Sequence, residues 1–392
     1  MAKKTKKVNG FLVFAVYIVA FVVGTLGGAF YKTAALDDYE IPAAQTYSPA
    51  STGKIDVKVI KEKDLSIHFI ELGNKYTGDC TLIKAGDTEV LIDAGSRADS
   101  VTPIYEYIAP LIDEKLDYAV VTHAHQDHYA GFATSANTNS IFDLVETQTV
   151  IKFANTNQKE SGTLYSNFNR ELKETQDKNG TKVYDALECW NEENGASRVY
   201  NLSDTVEMEI LYQKYYAKGA KASSENDYSV CLKINRKVEG ETFSYLFTGD
   251  LEKDGEKSLV AENKDLGKCV LYKAGHHGSK TSSSDELLSV IKPDIVCVCA
   301  CAGSIEYTTK NENTFPTQIF INNVAKYTDE VYVTTLCVDY KNGKFESMNG
   351  NIIIASSKNS KTVEKYFSAS DLKLKDTDWF KNSRLCPDAW KN

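Results

Sequence analysis

A layered α/β domain is what the sequence predicts from residue 64 onward, and three observations carry that expectation. Short β-rich runs alternate with stretches of helical spacing from 66 to 355. The 392 residues are 42% hydrophobic and 25% charged, with only 7 Pro and 23 Gly, a globular balance that excludes collagen-like, wholly disordered and multi-span membrane classes. Five of the six histidines, all but His68, fall in two tight clusters, each just after a short apolar run, where loops at strand ends carry chemistry.

The elements follow in order. Residues 1–10 hold four lysines and no acid, a basic segment expected in the cytoplasm. Residues 11–30 carry no charge; at ~1.5 Å per residue such a helix reaches ~30 Å, the thickness of a bilayer core, so one transmembrane helix is predicted. With Asp37, Asp38 and Glu40 after it, the remainder is expected outside the cytoplasm. The alternative is a signal sequence cut near Gly27-Gly28-Ala29, which would release a secreted protein. Residues 31–63 are polar and aperiodic and are predicted to be a linker.

The domain proper is expected over 64–358. Strands are predicted at 66–72, 80–84 and 90–94, the last two joined by a turn at Gly86-Asp87. Ile104, Tyr107, Ile108, Leu111 and Ile112 predict a helix over 103–116, and 118–121 returns to strand. Residues 151–201 are polar, with a helix near 164–175, and are predicted to form a surface excursion. Strands follow at 206–212, 229–234, 243–247, 270–272, 295–299, 331–335 and 352–355, with helices at 253–261, 284–290 and 316–324. Cys297, Cys299 and Cys301 alternate in an apolar run and are predicted to be small residues packed on one strand face. Thiolate metal sites draw instead on CxxC loops. His68 lies mid-strand and is predicted to be structural. Residues 359–392 form an aromatic tail (Tyr366, Phe367, Trp379, Phe380, Trp390) expected to cover the domain.

Three motifs carry the chemistry. His123-Ala-His125-Gln-Asp127-His128 places four metal-ligand side chains within six residues, a nitrogen and oxygen set that suits zinc. Gly249-Asp250 ends a strand; the glycine permits a sharp turn, and the carboxylate is left at the mouth of the sheet, placed to bridge two ions. Gly275-His276-His277-Gly278-Ser279-Lys280 can direct one imidazole to a metal and the other to a substrate oxygen. Ser279, Lys280 and Ser282 add donors compatible with phosphate.

Together with Glu71-Leu-Gly73, Gly78-Asp79-Cys80, Leu91-Ile-Asp93-Ala-Gly95 and Asn226-Asp227-Tyr-Ser229, these motifs resemble the metallo-β-lactamase-fold hydrolase superfamily over about 67–354. Within it they are similar to the ComEC-like, DNA-internalisation-type branch. The resemblance implies an αββα sandwich with a dinuclear metal site at one edge, for Zn2+ or alternatively Mn2+. It implies His123 and His125 on the first metal, Asp127, His128 and one of the paired histidines, His277 favoured over His276, on the second, and Asp250 between them. Asp93 would orient a ligand histidine from outside, and Asp127, His276 and Lys280 would be the catalytic side chains.

One departure stands out: no histidine occurs from 130 to 275, where many members of the superfamily place another ligand. The first site is therefore expected to bind more weakly, completed by water or Asp227. The function implied is hydrolysis of a phosphodiester, nucleic acid or envelope ester, by metal-bound hydroxide in a membrane-anchored extracytoplasmic enzyme. The alternatives are hydrolysis of a lactam, lactone or thioester, and a non-catalytic module that binds an envelope polymer. The partners expected are the phosphodiester substrate and the membrane, through the N-terminal helix, with no obligatory protein partner. A net charge of -9 that becomes more negative once the N-terminal lysines are set aside favours a small metal-centred pocket over a broad nucleic-acid groove.

Overall fold

The computed structural model describes residues 46–48, 50–135 and 138–391. The segments expected at 1–10 and 11–30 lie outside them, and among the described residues no helix is long and apolar enough to cross a membrane. Residues from Tyr47 onward form one compact unit.

Two sheets are built around central strands that are buried along their whole length, as sheets covered on both faces are. The first runs, in spatial order, Thr362–Phe367, Ile352–Ser356, Leu65–Phe69, Thr81–Ala85, Thr88–Ile92, Lys115–Val121, Glu146–Lys152, Lys182–Asp185. Its pairing is antiparallel up to Thr88–Ile92 and parallel beyond it. The second runs Lys344–Ser347, Val331–Asp339, Ile295–Ala302, Leu271–Lys273, Glu241–Phe247, Cys231–Val238, Val206–Leu211, Val199–Asn201, with parallel pairing from Glu241–Phe247 to Val331–Asp339.

Side-chain alternation shows how the sheets stack. Ile295, Cys297 and Cys299 belong to the same core as Ile67 and Phe69 of the first sheet, whereas Val296, Val298 and Ala300 pack with Leu259, Leu287 and Phe320 of three helices. Phe69 and Phe247 stack across the gap with ring centroids 6.3 Å apart. The helices on the second sheet are Lys253–Glu262, Asp285–Ile291 and Gln318–Val324, and Ile104 and Phe168 bring Val101–Ile108 and Thr163–Asn179 onto the first. The result is the helix, sheet, sheet, helix layering implied by the motifs. All nine cysteines are free thiols, and the alternating trio is buried in the strand.

Four elements depart from the sequence reading. The helix expected over 103–116 spans Val101–Ile108, because Pro110 has no N–H to continue the ladder. Residues 151–201 are not simply a surface excursion. Glu146–Lys152 and Lys182–Asp185 extend the first sheet in parallel, and helix Thr163–Asn179 makes the crossover that a parallel pair requires. Within 31–63, Ser51–Thr52 pairs with Tyr366 and Phe367, and the short helix Val57–Lys61 buries Ile60. In 359–392, Thr362–Phe367 is a strand of the first sheet, while Phe380 and Trp390 pack under the second, with rings 5.6 Å apart.

Parallel strands from both sheets end at one edge of the sandwich. The segments after Ile92, Val121, Phe247 and Lys273 meet there, and each carries one of the motif side chains. Loops beyond the carboxyl ends of parallel strands are where open α/β sheets hold ligands.

Candidate metal centre

The backbone is fixed before any side chain is placed. Asp79 N–H donates to Asp127 O at 3.0 Å and Ala94 N–H to His128 O at 2.8 Å, sewing the histidine-rich turn to the two loops beside it. The fit is tight enough to require glycine: a Cβ on Gly95 would lie 2.1 Å from Asp127 O. His276 and His277 both occupy the left-handed region, at φ 48° and 54°. Such conformations cost ~1–3 kcal/mol each and are held only by surrounding contacts. The turn buries His277 completely and leaves the His276 side chain 21% exposed.

Four ligand atoms then converge. His128 Nε2 lies 3.1 Å from Asp250 Oδ2 and 3.3 Å from His277 Nε2, and His277 Nε2 is 3.3 Å from both Asp127 Oδ2 and Asp250 Oδ2. Ligands arranged tetrahedrally at ~2.0–2.1 Å from an ion stand roughly 3.3–3.4 Å apart, so these spacings match those of a coordination shell. A second group lies beside it: His123 Nε2 is 3.1 Å from His125 Nδ1 and 4.0 Å from Asp250 Oδ2. His276 Nε2 stands 3.9 Å from the same carboxylate oxygen.

The opposite edges of the rings are fixed by the protein. Asp93 accepts from Thr122 N–H and Thr122 Oγ1–H at 2.8 and 2.7 Å and lies 2.8 Å from His128 Nδ1. His277 Nδ1 is 2.8 Å from Cys299 O, and Ser229 Oγ is 3.4 Å from His123 Nδ1. Such partners set the tautomer that leaves Nε2 free to ligate.

The structure brings together Asp127, His128, Asp250 and His277, with His123, His125 and His276 around them and Asp93 behind. It does not bring in Lys280, which is exposed and donates to Asn313 Oδ1 at 3.1 Å. Ser282 is also unavailable as a phosphate donor: it is fully buried and donates to Leu251 O at 2.8 Å. His68 is remote in character, bonded to Ser66 Oγ and Tyr107 OH at 2.8 and 2.9 Å.

Three further side chains belong to the centre. Asp79 clusters with His128, Asp250 and His277, but on the Nδ1 edges of the two rings, 3.6 and 3.2 Å away, so it backs the ligands. Lys273, 3% exposed, is ion-paired with Asp79 and stands 3.7 Å from Asp250 Oδ1. Tyr307 OH donates to Asp127 Oδ2 at 2.8 Å, and its ring packs on Phe315, which in turn covers His276 and His277. A lysine ending the otherwise apolar strand Leu271–Lys273 was a legible sign of a buried pair; Tyr307, in a polar loop, gave none.

Electrostatics favour a cation here. Burial opposes charge on His128, but Asp250, Asp93 and Asp79 outweigh it and push its pKa up to about 10; His277 is likewise held well above the usual histidine range by Asp250 and Asp79. Burial also opposes ionisation of Asp250, yet His128, His277 and His276 keep its carboxyl well below the carboxylate range. Asp250 Oδ1 is buried without a hydrogen-bond partner. Protons on two histidines are thus offsetting carboxylates, and a divalent ion on the Nε2 and Oδ2 atoms would take over that role. The residues fit such an ion.

Part of the chain is similar to known proteins. Residues 73–141 match the family described as the Metallo-beta-lactamase superfamily. Recombination protein 2 of Haemophilus influenzae is 44% identical over 75 residues, 19% of this chain and 9% of that protein. ComE operon protein 3 of Bacillus subtilis is 28% identical over 115 residues, 29% of this chain and 14% of that protein. The matches therefore span only a small part of those relatives. Among solved structures, the metallo-beta-lactamase fold protein YhfI from Bacillus subtilis aligns with 69% of this chain and 95% of its own, at 12% identity and a TM-score of 0.36. A long form RNase Z from yeast aligns with 77% of this chain and 43% of its own, at 12% identity and a TM-score of 0.40.

Proposed function

We propose that this chain, a metallo-β-lactamase superfamily protein of the ComEC-like branch, is a zinc-dependent hydrolase of phosphodiesters, carried on the outer side of a membrane by residues 11–30. The observation that carries the hydrolytic reading is the convergence of His128 Nε2, His277 Nε2, Asp127 Oδ2 and Asp250 Oδ2 at 3.1–3.3 Å. A divalent ion held there supplies Lewis acidity and lowers the pKa of bound water.

The chain's own groups do the rest. Asp127, fixed by Tyr307, would accept a hydrogen bond from the attacking water. His276, part-exposed with Nδ1 3.1 Å from Thr281 Oγ1, would donate to a substrate oxygen. Phe315 and Tyr307 wall one side and keep bulk water off the rings. The phosphodiester reading rests on this rim, where His276, Thr281 and the exposed Lys280 ammonium present donors suited to phosphate oxygens. The acidic chain beyond residue 10 suits a substrate recognised locally at the centre.

The test is a substrate panel on the full chain loaded with Zn2+ or Mn2+. Bis-(p-nitrophenyl) phosphate should turn over, a chromogenic lactam should not, and His123→Ala should abolish turnover. Lactam cleavage without phosphodiester cleavage, or an unaffected His123→Ala variant, would overturn the assignment.

A further inference from the structure

We propose that Arg384, in the C-terminal tail beyond the stretch that resembles the superfamily, is a positioning residue: it clasps the backbone at 314–316 and thereby holds Phe315 over His276 and His277 in the geometry that turnover needs. For its kinetic consequence the inference rests on the hydrolase reading above; the clasp itself rests on contacts alone.

Every carbonyl of 314–316 is taken. Arg384 Nη2 donates to Thr314 O at 2.8 Å and to Thr314 Oγ1 at 2.9 Å, and Arg384 Nε donates to Pro316 O at 3.0 Å. Between these, Phe315 O accepts from Gly303 N–H at 2.8 Å. A planar guanidinium that reaches the carbonyls on either side of Phe315 fixes the tilt of the backbone as well as its position. An ammonium, a point charge on a flexible stem, does not.

The clasped segment is seated on the paired histidines. The Phe315 ring centroid lies 5.7 Å from that of His276, 5.8 Å from that of His277 and 5.7 Å from that of Tyr307, whose hydroxyl donates to Asp127. Thr317 N–H and Oγ1–H donate to Gly278 O at 2.9 and 3.1 Å, and a Cβ on Gly278 would stand 2.8 Å from Pro316 Cβ. His276 and His277 keep their left-handed backbone through contacts of this kind, so a shift at 314–316 reaches both imidazoles.

The tail holds the guanidinium still. Arg384 N–H closes the short helix Asp378–Ser383 on Phe380 O at 2.8 Å. Leu385 and Gln318 exchange two hydrogen bonds, at 2.8 and 2.9 Å, which ties the next residue to helix Gln318–Val324. Trp379 stacks on the guanidinium, its ring centroid 4.6 Å from Cζ. Arg384 is 8% exposed, and its partners are carbonyls and a hydroxyl rather than a carboxylate. A buried cation without an anion costs stability. Fastening the tail does not account for it, since Phe380 and Trp390 already anchor the tail in the apolar core. What Arg384 adds is geometry at 314–316.

The experiment compares Arg384→Ala with Trp390→Ala, a change in the same tail at a side chain that bonds to Thr328 O, away from 314–316. Thermal midpoint, amide hydrogen exchange and bis-(p-nitrophenyl) phosphate turnover are measured on the full chain loaded with Zn2+ or Mn2+. Arg384→Ala should lower kcat at least ~10-fold and change KM less than ~3-fold. The amides of Gly303 and Thr317 should exchange at least ~10-fold faster in it. Trp390→Ala should lower the thermal midpoint as much or more, yet leave kcat, KM and those two amides unchanged. In a Phe315→Ala background, Arg384→Ala should lower kcat by less than ~3-fold, since most of its effect runs through that ring. Arg384→Lys keeps the cation without the fork and should reproduce the loss, at ~3-fold or more, should Arg384→Ala not fold. Equal kcat losses in the Arg384 and Trp390 variants, additive losses with Phe315→Ala, or unchanged exchange at Gly303 and Thr317 overturn the proposal and leave the hydrolase reading standing. A wild type without turnover overturns that reading instead, and the two amides then decide the clasp by themselves.

Discussion

His68 and His128 are both fully buried in the same sandwich, yet their surroundings make them opposite chemical objects. Around His68 stand Ser66, Tyr107 and the Lys84 charge; burial first, and Lys84 second, push its pKa down to about 3, so it stays neutral. Around His128 stand three carboxylates, and its pKa is pushed up to about 10. Burial alone therefore does not make a functional histidine. What distinguishes the centre is a cluster of buried carboxylates balanced by histidine protons and Lys273, and a cation is the partner such a place calls for.

The largest effect should come from removing that charge where it is shared. Asp250 lies 3.1 Å from His128 and 3.3 Å from His277, so Asp250→Ala should drop metal content below one ion per chain and reduce kcat by at least ~10³-fold. Elemental analysis and phosphodiester turnover measure the two losses. His68→Gln, at the contrasting histidine, should leave both unchanged; a comparable loss there would erase the distinction between the two regions.

The Lys273–Asp79 pair comes next. Burial opposes the lysine's charge, but Asp79 and Asp250 hold its pKa above the usual lysine range. Lys273→Met removes the ammonium from Asp79 and leaves its buried carboxylate only the His277 and His128 rings, which should cost about 3 kcal/mol in denaturant unfolding. Adding Asp79→Asn should return much of that loss, because the pair's burial rather than its attraction dominates. A double variant no better than the single one would show that Lys273 acts through Asp250 instead.

The two histidines should also set opposite limbs of stability against pH in the chelated protein. His68 has its folded pKa depressed to about 3 from 6.5, so its contribution is complete above pH 6.5 and fades as pH falls toward 3. Between pH 6.5 and 4 that amounts to roughly 3 kcal/mol, at ~1.4 kcal/mol per unit. His128 has its folded pKa raised to about 10, so its contribution is complete below pH 6.5 and is lost as pH climbs through 10. Unfolding curves from pH 4 to 10 should show His68→Gln flattening the acid limb alone and added Zn2+ flattening the alkaline limb alone.

What could be seen in the sequence follows from the same contrast. That His123, His125, Asp127, His128, Asp250 and His277 come together was legible because side chains of metal-ligand type crowd into short loops after apolar strands. Asp79, Lys273 and Tyr307 were not assigned roles, since each acts through contacts far along the chain: Tyr307 meets Asp127 across 180 residues. The strands Glu146–Lys152 and Lys182–Asp185 were missed because their polar side chains mask the alternation, with only Thr147, Val150 and Ile151 fully buried in the first and Tyr184 in the second. Strand Thr362–Phe367 was missed for a similar reason: Val363 and Phe367 are its only buried residues, in a segment dominated by charge and aromatics.

The smallest effect belongs to Lys280, which the sequence placed among the catalytic side chains. Its ammonium is exposed and bonded to Asn313, so it meets solvent on both sides of any reaction and is screened by salt. Lys280→Ala should raise KM about 2- to 5-fold at low ionic strength, leave kcat unchanged, and lose its effect above ~0.5 M salt, as a rim cation that steers a phosphate should. A fall in kcat that persists at high salt would move Lys280 from the rim into the reaction, and would mean that the loop 279–284 closes onto the centre when substrate arrives.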